Sequence, residues 1–174
     1  MNGKPIVYLE NVSDYTITDA GQVLLVNCDN MTVTNLNVSN VSVGVELLGT
    51  NNSRIMNNDI FETYILLSLS ANNIVSNNCL YYDGIYLEEV SNNKIVGNNC
   101  TYIYLEESSN NVIRGNSISN CYYQYWWGYS GAISLRKSSN NSISSNNCSN
   151  SNYGIRLDSS LNNIISCLLY TSDA

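Results

Sequence analysis

The chain alternates short apolar triplets with asparagine-rich breaks. A valine or isoleucine stands two positions before a leucine at Val7/Leu9, Val23/Leu25, Val45/Leu47, Ile65/Leu67, Ile85/Leu87, Ile103/Leu105, Ile133/Leu135 and Ile155/Leu157. Eight residues after each leucine comes another: Ile17, Val33, Ile55, Val75, Ile95, Ile113, Ile143 and Ile165. A third apolar column, 13 residues after the leucine, reads Val38, Ile60, Leu80, Cys100, Ile118 and Cys148. The period of two inside each triplet, with β-branched residues bounded by Asn, Ser and Gly, is that of a strand. A unit of about 20 residues is too short for the helix pairs of helical repeats, and the L-x-x-L-x-L spacing of leucine-rich repeats is absent. Leucine-to-leucine separations run from 16 to 30 residues while the internal motif stays constant. Length change is therefore confined to one connecting segment, as in a solenoid. The pattern predicts an all-β parallel β-helix of about eight rungs with three short strands per rung. At roughly 4.8 Å per rung it spans about 38 Å.

The polar breaks repeat as well. SNNKIVGN at 91–98, SSNNVIRGN at 108–116 and SNNSISSN at 139–146 are variants of one phrase. Five residues after the leucines stand Asp14, Asn30, Asn52, Asn72, Asn92, Asn110, Asn140 and Asn162. Eleven after stand Asn58, Asn78, Asn98, Asn116 and Asn146, with Ala20 and Leu36 in the first two units. Asn tolerates turn geometry, and its amide both donates and accepts, so both columns are expected to become stacked ladders at the corners. This is turn chemistry, not an active site.

Composition narrows the function. Charged residues are 12% of the 174, the net charge is −7, and there is no His. An acidic surface repels a phosphate backbone, so nucleic acid is excluded as a partner. No apolar run is long enough for a membrane span, and the first residues carry no signal peptide. Six Cys form no CxxC pair, which argues against zinc. Cys100 and Cys148 fall two rungs apart, too far for a disulfide, whereas a Cys79–Cys100 pairing between adjacent rungs stays open.

The runs S-x-N-N-x-I-x-x-N followed by GIYL at 84–87 and GIRL at 154–157 resemble the right-handed parallel β-helix repeats of the NosD-like proteins. NGKPIVYLENV and AGQVLLVNCDNMTVTNLNVSN resemble repeats of archaeal cell-surface members. The resemblance covers residues 1 to 166. It implies a right-handed β-helix in an extracellular, cell-surface or periplasmic setting. Founding members of that family assist copper loading of an enzyme, and related β-helices bind or cleave polysaccharides. A copper role is not supported, because copper(I) is served by Met, Cys or His, and the chain has no His, three scattered Met and Cys mostly at inward or turn positions. Residues 167–174 leave the pattern at Leu168 and are set apart as a non-native tail. Both ends read as cut from a longer solenoid.

Chemistry must sit on the outward columns. One and two residues after the leucines, Glu88–Glu89 stacks on Glu106–Glu107, and the next rung brings Arg136–Lys137. Four neighbouring carboxylates repel and are expected to have raised pKa values. Glu88, Glu89, Glu106 and Glu107 are thus the candidate metal ligands, for Ca²⁺. Glu88, Glu106 and Arg136 are the candidate catalytic set for a lyase or hydrolase of the pectin-lyase-like fold. The plainer expectation is that Glu106 and Glu107 simply pair with Arg136 and Lys137. The long 105–135 spacing holds CYYQYWWGYSGA, with Tyr122, Tyr123, Tyr125, Trp126, Trp127 and Tyr129. Such an aromatic cluster marks a binding site or a cover for the side of the solenoid. Tyr86 and Tyr104, outward and just before two leucines, extend the same surface.

The favoured expectation is a non-catalytic cell-surface or secreted β-helix module. It binds a polysaccharide, a surface glycan or another cell-surface protein through the aromatic loop, with no cofactor beyond Ca²⁺. The alternatives are the lyase or hydrolase, a NosD-like metal-maturation accessory, and a structural spacer of a surface layer. The sequons at Asn30, Asn37, Asn40 and Asn99 suit the last.

Overall fold

The computed structural model describes residues 3–121 and 131–171. Among the described residues every strand pairs in parallel, and there is no helix. Three sheets run along a solenoid. Sheet one stacks Ile6–Glu10, Gln22–Val26, Val45–Leu48, Ile65–Ser68, Ile85–Glu88, Ile103–Glu106, Gly131–Arg136 and Tyr153–Asp158, in that order. Sheet two runs from Thr16–Ile17 to Ile164–Ser166, and sheet three from Asn37–Ser39 to Leu169–Thr171. Each rung contributes one strand to each complete level.

The registers are those of the sequence columns. Leu25 pairs with Leu9 and Leu47, Leu87 with Leu67 and Leu105, and Leu135 with Leu105 and Leu157. Val75 lies between Ile55 and Ile95, and Ile60 between Val38 and Leu80. These inward residues form one continuous core. Each fully buried Leu or Ile contributes about 1.5–3 kcal/mol of transfer free energy. Past Ser166, Leu169–Thr171 pairs with Asn147–Ser149 and sets Tyr170 beside Cys148.

The two asparagines of each SNN phrase have different jobs. The first, five after the leucine, is not a buried ladder. It holds a left-handed turn, with φ 57° at Asn92, 58° at Asn110 and 59° at Asn140. That is a conformation which Asn enters more readily than other side-chain-bearing residues. The second points inward and carries a ladder that the sequence columns did not single out. The backbone N–H of Ser53 donates to Asn73 Oδ1, Asn73 to Asn93, Asn93 to Asn111 and Asn111 to Asn141, at 2.8–2.9 Å. The ladder eleven after the leucine is as expected. The side-chain amide of Asn78 donates to Asn98 Oδ1 at 3.0 Å, and that of Asn98 to Asn116 at 3.1 Å. A third ladder is built from hydroxyls, the Thr50 N–H donating to Ser70 Oγ and the Ser108 N–H to Ser138 Oγ. Corners would otherwise orphan backbone donors inside the coil, and these side chains satisfy them.

The open cysteine question is answered by the pleat. Cys79 stands beside Asn99 on the outward face, while Cys100 faces inward beside Ile118. All six cysteines are free.

Candidate functional site

Sheet one places the predicted outward residues in register. Glu88 pairs with Glu106, Glu106 with Arg136 and Arg136 with Asp158, while Tyr86 pairs with Tyr104. The carboxylates do not gather. Arg136 Nη1 donates to Glu106 Oε1 at 2.7 Å, and Lys137 Nζ to Glu107 Oε1 at 2.8 Å. The Lys137 ammonium holds the Glu107 carboxyl below its usual range, which corrects the expectation that crowding raises it. Glu88 and Glu89 remain exposed. Among the described residues no group of three or more His, Cys, Asp or Glu side chains is placed to hold a metal ion.

What converges instead is a cluster of tyrosines. Tyr86 meets Tyr64 edge-on at 4.9 Å between ring centroids, Tyr102 at 5.1 Å and Tyr104 at 6.1 Å. The Tyr102 hydroxyl hydrogen-bonds Asp83 Oδ1 and also the Tyr86 hydroxyl. The Tyr104 hydroxyl donates to Glu106 Oε2 at 2.9 Å. Glu106 therefore joins the tyrosine cluster to the Arg136 guanidinium. Tyr104 and Tyr102 are 9% and 6% exposed, so they form a packed cluster and not the open stacking platform expected of Tyr86 and Tyr104. Cys121 packs against the two buried rings. The aromatic insertion follows Cys121 in the sequence, and Tyr122, Tyr123, Tyr125, Trp126, Trp127 and Tyr129 lie outside the described residues.

Asp83, Tyr102 and Tyr64 were not singled out from sequence. The Asp83 carboxyl is pushed up by burial, partly offset by bonds from Tyr102 and from the Gly84 N–H at 2.8 Å. Burial also raises the Tyr102 phenol, which stays protonated and donates. The fit depends on Gly84. A Cβ there would stand 2.6 Å from the Tyr102 ring and closer still to its carbonyl oxygen. One signal was available. Tyr102 falls 15 residues after Leu87, where other rungs have Asn40, Asn120 and Asn150.

This is a β-solenoid with a uniform interior and a specialised outer face. The profile of the family described as "Periplasmic copper-binding protein (NosD)" matches residues 3–165, and the chain belongs to that family. None of the curated proteins matches it. Solved structures of similar fold include a DFA-IIIase mutant from Arthrobacter chlorophenolicus A6, at TM-score 0.71 and 17% identity, covering 94% of this chain and 42% of that one. A double mutant of the periplasmic alginate epimerase AlgG aligns at TM-score 0.64 and 15% identity, covering 96% and 51%. Another AlgG structure aligns at 0.57 and 16%, covering 94% and 46%. The chain thus spans about half the length of these proteins, and the likeness is one of fold.

The copper in the family's description does not fit the residues present. The chain has no His. Cys28, Cys100 and Cys148 point into the core, as does Met31. Burial pushes the Cys148 thiol up to about 11, so it is protonated where a metal would need thiolate.

Proposed function

We propose that the chain is a non-catalytic β-helix module of the cell surface or periplasm that binds carbohydrate through its sheet-one face and the adjoining aromatic insertion. One observation carries this reading. Tyr86, Tyr102 and Asp83 are hydrogen-bonded into one set beside Tyr104, Glu106 and Arg136, with Cys121, the residue that precedes the insertion in sequence, packed against the buried rings. Hydroxyl, carboxylate and guanidinium groups among aromatic rings are the polar and apolar contacts that a sugar uses. The periplasmic setting of AlgG and of the family description, and alginate as an epimerase substrate, point the same way. Glu106 and Glu107 are engaged by cations, which disfavours them as acid and base.

The second reading is a polysaccharide lyase or hydrolase. It is favoured by Asp83, a carboxyl pushed up by burial against a tyrosine hydroxyl, since perturbed groups cluster at reactive sites. Both indoles of the chain are Trp126 and Trp127, so tryptophan fluorescence reports on the insertion. A saturable shift on titrating soluble glycans, weakened in Tyr86→Phe, together with loss of binding by calorimetry in Trp126→Ala/Trp127→Ala, supports the binding module. Absence of a shift with every glycan refutes it. Release of reducing or unsaturated ends, abolished in Asp83→Asn, establishes the enzyme instead.

A further inference from the structure

Sheet three has an outward face of its own. In register along it run Asn37, Asp59, Cys79 and Asn99, and beside them Ser39, Phe61 and Tyr81. Further along, the second column returns to serine at Ser119 and Ser149. Small polar residues are thus the rule on this face, and rungs three and four break it with large rings. Phe61 and Tyr81 are 42% and 48% exposed, and Tyr82 at the adjoining corner is 76% exposed. Phe61 stands edge-on to Tyr82 at 5.4 Å and tilted to Tyr81 at 6.1 Å. A shallow groove of about 330 Å³ lies between Asn37, Ser39, Asp59, Phe61 and Tyr81.

None of these rings serves the core, which the inward columns fill. Tyr82 is also costly where it stands. Its φ of 70° is left-handed, and Asn40, Asn120 and Asn150 occupy the equivalent corners at 58°, 65° and 49°. Glu62 takes the same corner at 54°, so the left-handed turn belongs to the fold, but a tyrosine is a costlier occupant than the Asn of other rungs and leaves its ring in solvent.

We propose that Phe61, Tyr81 and Tyr82 form a second carbohydrate subsite, on sheet three, that takes a neutral, hydroxyl-rich glycan chain. Ring faces suit the C–H faces of a sugar, and Asp59, Asn37 and Ser39 supply polar contacts at the groove floor for its hydroxyls. The groove is lined by a carboxylate and no cation, and the chain carries −7, so an acidic polymer is disfavoured. The groove is shallow and short, which suits a few sugar rings better than the roughly 1,000 Å² that a stable protein interface needs. The subsite lies on a different face from the tyrosine cluster of sheet one, so each stands or falls alone.

The test uses the full chain, with binding to soluble glucomannan, hydroxyethylcellulose and alginate read by affinity electrophoresis and calorimetry. The decisive variant is Phe61→Ser/Tyr81→Ser, which writes the residue of Ser39, Ser119 and Ser149 into the same column. Asp59→Asn likewise copies Asn37 and Asn99. Both are expected to keep the wild-type thermal unfolding. Neutral-glycan affinity is expected to fall at least tenfold in the double variant and about threefold or more in Asp59→Asn. It should persist in Trp126→Ala/Trp127→Ala. The proposal is overturned if neither neutral glycan binds, if alginate binds more tightly than both, or if binding survives in Phe61→Ser/Tyr81→Ser. Loss of neutral-glycan binding in the tryptophan variant alone also overturns it, and assigns that binding to the insertion.

Discussion

Replacing Asn98 by alanine tests the account of what holds the coil together. Asn98 is 1% exposed, and its side chain makes bonds to two neighbouring rungs. Its Oδ1 accepts the backbone N–H and the side-chain amide of Asn78, both at 3.0 Å. Its Nδ2 donates to the Val75 carbonyl at 2.9 Å and to Asn116 Oδ1 at 3.1 Å. Truncation leaves the Asn78 N–H and the Val75 carbonyl without these partners. The Asn78 amide keeps Ile55 O, and Asn116 Oδ1 keeps the Asn98 N–H. The Val75 carbonyl keeps its place in the ladder with Lys94–Val96, so one buried donor is orphaned, at a cost of about 1–3 kcal/mol. That is a large share of the roughly 5–15 kcal/mol that a domain possesses. The control is Asn92→Ala on the preceding corner. Asn92 is exposed and serves its left-handed φ of 57°, so only a backbone cost of about 1 kcal/mol applies. Urea unfolding at constant m-value measures both. An Asn98→Ala loss no larger than that of Asn92→Ala would refute the ladder as a stabilising element.

Three other outcomes are expected. Tyr82→Asn should raise stability by about 1 kcal/mol through relief of the left-handed tyrosine, while weakening neutral-glycan binding; thermal unfolding and calorimetry read the two effects separately. Asp83 has a carboxyl raised above 3.8 in the fold, so its contribution is full below that pH and declines as pH rises through the folded value. Asp83→Asn keeps an acceptor for Tyr102 and Gly84 but removes the titration. Its stability advantage over wild type should therefore grow from pH 3 to 7, and a constant difference would contradict the burial argument. Gly84→Ala drives a methyl into the Tyr102 ring and should cost about 1–3 kcal/mol, with an altered near-ultraviolet circular dichroism signal from the tyrosine cluster. An unchanged spectrum would mean that the ring moves aside freely.

The inward columns were legible because eight repetitions average out local noise. Once Val7 and Leu9 are aligned with Ile155 and Leu157, strand period and register follow together. The Glu106–Arg136 and Glu107–Lys137 pairs followed from the same alignment, since residues in one column are neighbours. The corners were less legible. Asn92 and Asn93 look alike in sequence, but at a turn one step of chain separates the outside from the inside, and the left-handed φ of the first decides which is which. The Asp83–Tyr102 contact was hidden for another reason. It joins the corner of one rung to the corner of the next, outside the columns that the leucines define. The sheet-three rings were overlooked because Phe61 and Tyr81 appear in only two rungs, and a search for repetition discards what does not repeat.

That omission is informative, because in a solenoid the exceptions carry the information about function. Any rung could be built from the column residues alone, as Ser119, Asn120, Ser149 and Asn150 demonstrate on sheet three. Phe61, Tyr81, Tyr82, Asp83, Tyr86 and Tyr102 all depart from that economy within the third to fifth rungs. The break at Tyr82–Asp83 is the sharpest. The ring of one joins the exposed aromatic face of sheet three, and the carboxyl of the next joins the buried tyrosines of sheet one. Two surfaces with different exposure and chemistry therefore meet at one corner. A glycan held on sheet three would lie next to the sheet-one cluster, so occupation of one face should alter the environment of the other. Near-ultraviolet circular dichroism of the Trp126→Ala/Trp127→Ala variant, dominated by tyrosine, reads this directly. Neutral glycan should change the tyrosine signal, and Phe61→Ser should abolish the change. A saturated sheet-three site with an unaltered tyrosine signal would mean that the two faces are adjacent but independent.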